Sequence, residues 1–151
     1  MIPRSPRRVH TESRKKIPEL ARCPECEASY RGGRWTWERA PIGAYAYECP
    51  ACRQVAADDA AGELRLSGAF VPRHRDELEH CLRNAEAHEK REHPLKRILS
   101  IRSEGAELVV RVTDAKLVTQ LGHAIASAYD GELVLPRSTA DRSSPARGSW
   151  R

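Results

Sequence analysis

Cys23-Pro-Glu-Cys26 and Cys49-Pro-Ala-Cys52 are the two segments that decide the fold of this chain, and 22 residues separate them. A Cys-x-x-Cys turn brings two sulfur atoms to one metal ion, and two such turns complete a tetrahedral set of four thiolates, which suits zinc. The proline after the first cysteine of each pair helps to fix the turn. The spacing therefore predicts a zinc site with the ligands Cys23, Cys26, Cys49 and Cys52.

The predicted site is closed, because four cysteines fill a tetrahedral coordination sphere and leave no position for water or substrate. Such a site folds a small module around itself, so we expect a structural Zn²⁺ ion and a zinc ribbon over residues 21–58. The alternative is a pair of thioredoxin-like redox motifs. Those need a strand–helix context around a single Cys-x-x-Cys pair, which the sequence does not indicate.

The segment between the two turns holds five of the eight aromatic residues of the chain. Trp35 and Trp37 alternate, and so do Tyr45 and Tyr47. Two alternating runs on either side of Ala40-Pro41-Ile42-Gly43 predict a β-hairpin.

Arginines are interleaved with these aromatic residues. Aromatic rings that stack on bases, next to cations that contact phosphates, are typical of surfaces that bind single-stranded RNA. The candidate RNA contacts in this segment are Arg31, Arg34, Trp35, Trp37 and Arg39. Alternatively, the rings cover the zinc site, because a module of this size has little other core.

The remainder of the chain predicts an α+β domain over residues 62–136. Alternation and helical periodicity indicate the order β-α-β-β-α-β, which is the ferredoxin-like arrangement. The predicted strands are Leu64–Val71, Leu95–Arg102, Glu107–Thr113 and Glu132–Leu135, and the predicted helices are Arg75–His93 and 115–129. Cys81 belongs to the apolar stripe of the first helix and is interpreted as a core residue.

The sheet face away from the helices is predicted to be basic, with Glu107 as its only acid. Arg65, Lys96, Arg102 and Arg111 are the candidate RNA contacts on this face. Strand aromatics of the kind that RNA-recognition motifs use are missing from its outward positions. An ordinary solvated face is an equally good interpretation.

The positive charge is concentrated at the two ends of the chain of 151 residues. Lys and Arg number 26 against 21 Asp and Glu, which gives +5. Residues 1–22 hold seven cations and two acids, and residues 137–151 hold four cations and one acid, so the middle is slightly acidic. We expect disordered basic tails at 1–20 and 137–151, which would contact a polyanion.

Several classes of protein are disfavoured. No apolar stretch approaches the ~20 residues that a membrane span needs, and no apolar core follows the first arginines as in a secretory signal. We therefore expect a cytoplasmic protein without a membrane partner. No Ser-His-Asp grouping or phosphate-binding glycine loop is present, so we predict neither an enzyme nor a small-molecule substrate.

The chain resembles the zinc-binding region of the nonsense-mediated mRNA decay protein three family. The two Cys-x-x-Cys pairs and the segment from Gly105 to Ile125 carry this resemblance. A group of short bacterial proteins is similar in more detail: a basic start, a Cys-Pro-x-Cys pair, an Arg-Trp-x-Trp stretch and Glu-His-Pro-Leu-Lys-Arg, here residues 92–97. The family binds the large ribosomal subunit, and the resemblance implies a ribosome or RNA contact.

These observations predict a zinc-binding, non-enzymatic protein that associates with the ribosome or with structured RNA. The alternative is a zinc-ribbon module for protein–protein contact or for DNA binding in regulation, since zinc ribbons serve all these purposes. A thiol redox enzyme is the third hypothesis.

Overall fold

A computed structural model describes residues 17, 19–136 and 144–151. It divides the chain into two compact units, and the division falls between Cys49 and Pro50. This is earlier than the predicted end of the zinc ribbon at residue 58, because the helix that begins at Pro50 belongs to the second unit. Most of the predicted N-terminal tail, residues 1–16 and 18, lies outside the described residues.

The first unit contains a small four-stranded sheet. Its strands, in the order β3-β2-β1-β4, are β1 (Ala21–Arg22), β2 (Ser29–Arg31), β3 (Arg34–Thr36) and β4 (Tyr45–Ala46). β1 and β3 run antiparallel to β2, whereas β4 pairs in parallel with β1.

The predicted hairpin around Pro41 to Gly43 is wrong. The hairpin of this unit joins β2 to β3 through Gly32 and Gly33, which both have positive φ. Two consecutive residues with positive φ match the tight two-residue turns that connect antiparallel strands, and glycine adopts that conformation without strain. The second aromatic run instead supplies β4 at the far edge of the sheet.

The second unit is built on a five-stranded sheet covered by helices. In chain order its helices are α1 (Pro50–Ala57), α2 (Phe70–Arg73), α3 (Arg75–Lys90) and α4 (Ala115–Ala128). Its strands are β5 (Gly62–Leu66), β6 (Ile98–Glu104), β7 (Glu107–Val112), β8 (Leu133–Val134) and β9 (Ala146–Trp150).

The chain order of the predicted elements is observed, but the sheet differs from the four-stranded ferredoxin-like arrangement. The strand order is β6-β7-β5-β9-β8, with β9 parallel to β5 and antiparallel to β8. β9 thus occupies the position beside β5 that the fourth predicted strand would take. The α+β class is confirmed, and the ferredoxin-like topology is not.

The prediction of a disordered C-terminal tail is wrong for residues 146–150, which form β9. Trp150 is 2% exposed and joins the hydrophobic core, with its ring centroid 6.2 Å from that of Phe70. Gly62 and Gly148 leave room on neighbouring strands for the side chain of Val118 from α4. Burial of Trp150 therefore offsets the weak strand propensity of Arg147-Gly-Ser.

The core of the second unit lies between the sheet and the helices α3 and α4. Alternate residues of β5 and β7 face it, together with residues at helical spacing from both helices. These core residues include Leu64, Leu66, Leu78, Leu82, Leu108, Val110, Val112, Leu117, Val118, Leu121 and Ile125. Cys81 packs against this cluster, as predicted. No helix of the described residues is long and apolar enough to cross a membrane.

Candidate metal centre

Four cysteines are brought together in the structure. The Sγ atoms of Cys23, Cys26, Cys49 and Cys52 all lie within 4.8 Å of one another. Among the described residues this is the only group of three or more Cys, His, Asp or Glu side chains that could hold a metal ion.

The first cysteine pair is shaped by a tight turn after β1. The backbone N–H of Cys23 donates to the carbonyl of Ala28 at 2.8 Å, and that of Glu27 donates to the carbonyl of Cys23 at 2.8 Å. Glu27 takes a positive φ of 70° to close the turn. This knuckle points the sulfur atoms of Cys23 and Cys26 toward one centre.

The second cysteine pair opens α1. Pro50 is the first residue of this helix, a position that suits proline because the missing N–H would have no partner in the helix. Cys52 consequently lies in the first turn, where the helix dipole favours negative charge.

The geometry and the chemistry of the four sulfur atoms fit zinc. A tetrahedral site with Zn–S bonds of about 2.3 Å places its sulfur atoms about 3.8 Å apart, and the Cys26 and Cys49 sulfur atoms are 3.8 Å apart. All four cysteines are free of disulfides. These residues can therefore bind a metal ion, and zinc is the ion that four thiolates in this arrangement suit best.

Electrostatics at Cys23 favour the thiolate that a metal requires. Burial by itself raises the pKa of this thiol, but hydrogen bonds with the backbone of Cys49, Cys26 and Glu25 and with the Cys26 side chain outweigh it. Together they lower the pKa to about 7. Cys81 differs, because burial raises the pKa of its thiol. Cys81 is partly buried against the core of the second unit, and a raised pKa makes its thiol a poor nucleophile.

The aromatic residues between the cysteine pairs lie in two different environments. Trp35 is 9% exposed and its ring lies 5.4 Å from Tyr30 and 6.4 Å from Tyr47, measured between centroids. Trp35 is thus part of the small core. Trp37 is on the surface, with 37% of its area exposed.

Trp37 lines a cleft of about 590 Å³ on the first unit. Arg22 and Arg39 contribute two cations to its walls, Glu27 one acid and Ile42 an exposed apolar side chain. Arg22, Glu27 and Ile42 were not singled out by the sequence, since only the fold brings the end of β1 next to the segment after β3.

The other two predicted RNA contacts of this unit differ in their surroundings. The Arg31 guanidinium donates to the carboxylate of Glu38 at 3.0 Å. Arg34 begins β3 and is exposed. Arg31 is thus ion-paired within its own unit and is less available to contact a phosphate.

The predicted basic face of the large sheet is corrected by the structure. Arg65 contacts three glutamates on this face: Glu63 at 2.7 Å, Glu107 at 2.8 Å and Glu104 at 3.4 Å. Hydrogen bonds to Glu63 and Glu107 raise the pKa of the Arg65 guanidinium further above its usual range. Glu107 is therefore not the only acid there.

The other three cations that were predicted to lie on the open sheet face differ in their positions and partners. Arg111 pairs with Asp58, and Arg102 is exposed near the end of β6. Lys96 does not lie on the open face: its Nζ atom donates to Gln120 of α4 at 3.1 Å and lies 3.5 Å from Glu89 of α3. The open face consequently carries a balanced set of charges and is a weaker RNA candidate than the cleft at Trp37.

Comparisons with protein-family models, with curated proteins and with solved structures found no match to this chain.

Proposed function

We propose that this chain is a zinc-binding, non-enzymatic protein whose metal ion is structural and which binds RNA through the cleft at Trp37. The cluster of four cysteine sulfur atoms is the observation that carries the metal part of this proposal. Four thiolates complete the coordination of zinc, so the metal ties the segment around Cys23 and Cys26 to the segment around Cys49 and Cys52 and offers no open position for catalysis.

The cleft supports the RNA part of the proposal. An exposed indole can stack on an unpaired base, and stacking of this kind contributes about 1–3 kcal/mol per base. Arg22 and Arg39 on the cleft walls would contact phosphates. RNA loops present unpaired bases next to phosphates, which is why structured RNA, as in the ribosome, is the partner that this chemistry fits. The resemblance to ribosome-binding proteins points in the same direction.

Binding of the zinc-loaded chain to a short fluorescein-labelled single-stranded oligoribonucleotide, followed by fluorescence anisotropy, tests the cleft. We expect Trp37→Ala to raise the Kd by about 5- to 150-fold, the equivalent of one lost stacking contact. Arg39→Gln should weaken binding and reduce the salt slope by about 1. Arg65→Gln is the matched control, because Arg65 is held by glutamates and should leave the Kd unchanged.

These measurements can contradict either the assignment of the cleft as the RNA-binding site or the ribosome as the partner. Equal binding by the wild type and by Trp37→Ala would exclude the cleft, and a loss in Arg65→Gln alone would favour the sheet face. Co-sedimentation with ribosomes at low salt in a sucrose gradient tests the proposed partner. A chain that remains at the top of the gradient would not be a ribosome-binding protein.

Protein–protein contact is the second candidate function. Exposed apolar side chains of the first unit favour it, because Ile42 is fully exposed, Tyr45 is 66% exposed and Leu20 is 40% exposed. Recovery of a polymerase or of an enzyme with the tagged chain, in place of ribosomal proteins and RNA, would support this candidate. Free Cys23 and Cys26 thiols and less than one equivalent of zinc in the native protein would favour a redox enzyme instead.

A further inference from the structure

Arg97 is a buried arginine whose guanidinium reaches one of the metal-ligating cysteines. The residue is 9% exposed, and its Nη1 atom donates to the Sγ atom of Cys52 at 3.2 Å. Burial of a positive charge is unfavourable unless an anion or strong acceptors compensate it. A metal-bound thiolate at Cys52 would be such an anion.

The backbone on both sides of Arg97 is fixed by Thr113. The N–H of Arg97 donates to Thr113 Oγ1 at 2.9 Å, and the carbonyl of Arg97 accepts from the Thr113 N–H at 2.9 Å. The Thr113 hydroxyl in turn donates to the carbonyl of Leu95 at 2.6 Å. The side chain is fixed as well, because its Nε atom donates to the carbonyl of Pro94 at 2.9 Å.

Cys52 is held from its own side of the contact. Gln54, in the same helix α1, donates from its Nε2 atom to the carbonyl of Thr113 at 3.0 Å and to that of Asp59 at 3.2 Å. Thr113 is therefore the common anchor of the helix that carries the sulfur and of the strand end that carries the guanidinium. Neither partner needs to reorganise in order to make the N–H···S bond.

We infer that Arg97 is a positioning residue of the metal centre: its guanidinium orients the Cys52 thiolate for metal binding and offsets part of the negative charge of that thiolate. This rests on the metal part of the proposed function and not on RNA binding. Four thiolates and Zn²⁺ together carry two negative charges, and a buried cation that is hydrogen-bonded to Cys52 offsets part of the charge on this ligand. A hydrogen bond to sulfur also makes the thiolate less nucleophilic.

Competition between the full-length chain and a chromogenic chelator measures the effect on zinc affinity. We expect Arg97→Gln to raise the Kd for Zn²⁺ by about tenfold to a hundredfold, which is usual when a partner of a metal ligand is removed. Arg97→Lys keeps the charge but loses the planar guanidinium group. Its Kd for Zn²⁺ should therefore lie between that of the wild type and that of Arg97→Gln. Arg111→Gln is the matched control, because Arg111 pairs with Asp58 just after α1 and does not contact a cysteine.

Spectra of the Co²⁺-loaded chain separate a sulfur contact from a purely structural effect. The sulfur-to-cobalt charge-transfer band should shift in Arg97→Gln and stay in place in Arg111→Gln, because only the first substitution removes a hydrogen bond to a ligand. An unchanged band together with an unchanged Kd in Arg97→Gln would overturn the inference. Equal losses in Arg111→Gln would also overturn it.

A measurement on the wild type applies even if Arg97→Gln does not fold. In the zinc-loaded wild type, iodoacetamide should modify Cys52 more slowly than Cys26, as followed by mass spectrometry, although both residues are half-buried. Faster or equal modification of Cys52 would contradict the inference. A wild type that binds no zinc would overturn the metal proposal together with it, whereas a zinc-loaded wild type that fails the other tests would overturn only the assignment of Arg97.

Discussion

At the residue scale, Glu86 is a charged helix residue whose side chain is buried and hydrogen-bonded within the fold. It is 9% exposed, and its carboxylate accepts hydrogen bonds from the backbone N–H of Ile98 at 2.7 Å and from Arg83 at 3.1 Å. The N–H of Ile98 stands at the start of β6, directly after Arg97. Glu86 therefore connects α3 to the strand end that positions the guanidinium at Cys52.

We expect Glu86→Ala to lower the free energy of unfolding by about 1–3 kcal/mol, because the buried N–H of Ile98 loses its acceptor. Glu79→Ala on the same helix is the control, since Glu79 forms a half-exposed ion pair with Arg75. Its effect should stay below about 1 kcal/mol. Urea denaturation followed by circular dichroism measures both, and equal losses would contradict the assigned contact.

At the scale of elements, β9 completes the second unit. Its backbone pairs with β5 on one side and with β8 on the other, and the carbonyl of Trp150 accepts the N–H of Ser67 at 2.9 Å. The Trp150 ring fills the core beside Phe70. A central strand with a buried tryptophan contributes more than a strand at the sheet edge, because both of its edges are paired.

Replacement of Trp150 by alanine should lower the free energy of unfolding by about 3–5 kcal/mol, as expected for removal of a buried aromatic ring. Val134→Ala is the control in the neighbouring strand, because Val134 is 53% exposed. That substitution should change the free energy by no more than about 0.5 kcal/mol. Thermal denaturation compares the two, and a Trp150→Ala variant as stable as the wild type would exclude a structural contribution from β9.

At the scale of the whole molecule, the two units differ in what stabilises them. The described part of the first unit buries few apolar side chains: Ala21, Cys23, Ala28, Trp35 and Cys49. The second unit has a continuous core formed by two helices and the sheet. We therefore expect the first unit to need a metal ion for its stability, whereas the larger unit can fold by burial of apolar surface.

The charge of the molecule is also distributed differently from what the two basic ends alone indicate. Arg147 lies in β9 directly opposite Glu63, and Arg151 lies 3.9 Å from Glu132. Two of the four C-terminal arginines thus belong to the folded sheet region. Attraction of a polyanion to this end of the chain is therefore weaker than four cations on a free tail would produce.

We expect Cys49→Ser to unfold the first unit and to leave the second unit folded. Structural zinc in small modules contributes about 10–16 kcal/mol of apparent binding free energy, and its loss should remove a chelator-sensitive unfolding transition. Cys81→Ala, which lies in the other core, should retain that transition. Differential scanning calorimetry with and without chelator makes the comparison, and one shared transition in the wild type would refute the division.

The sequence by itself determined the α+β class and the four cysteines that come together as a candidate metal centre. A Cys-x-x-Cys turn is a local feature, and the helical and alternating patterns of α3, α4, β5 and β7 depend only on near neighbours. The Cys-x-x-Cys spacing alone was sufficient to predict that the four cysteines come together. The apolar stripe of the helix was sufficient to predict that Cys81 packs against the core.

Only the tertiary structure decided which surfaces remain open and what supports the metal centre. The contact of Arg97 with Cys52 joins residues 45 apart, and that of Arg65 with Glu107 joins residues 42 apart. Contacts over such separations have no local pattern, because they depend on how strands and helices pack. For the same reason the polar C-terminal residues form a central strand, Trp35 is buried, and Trp37 is left to line the cleft.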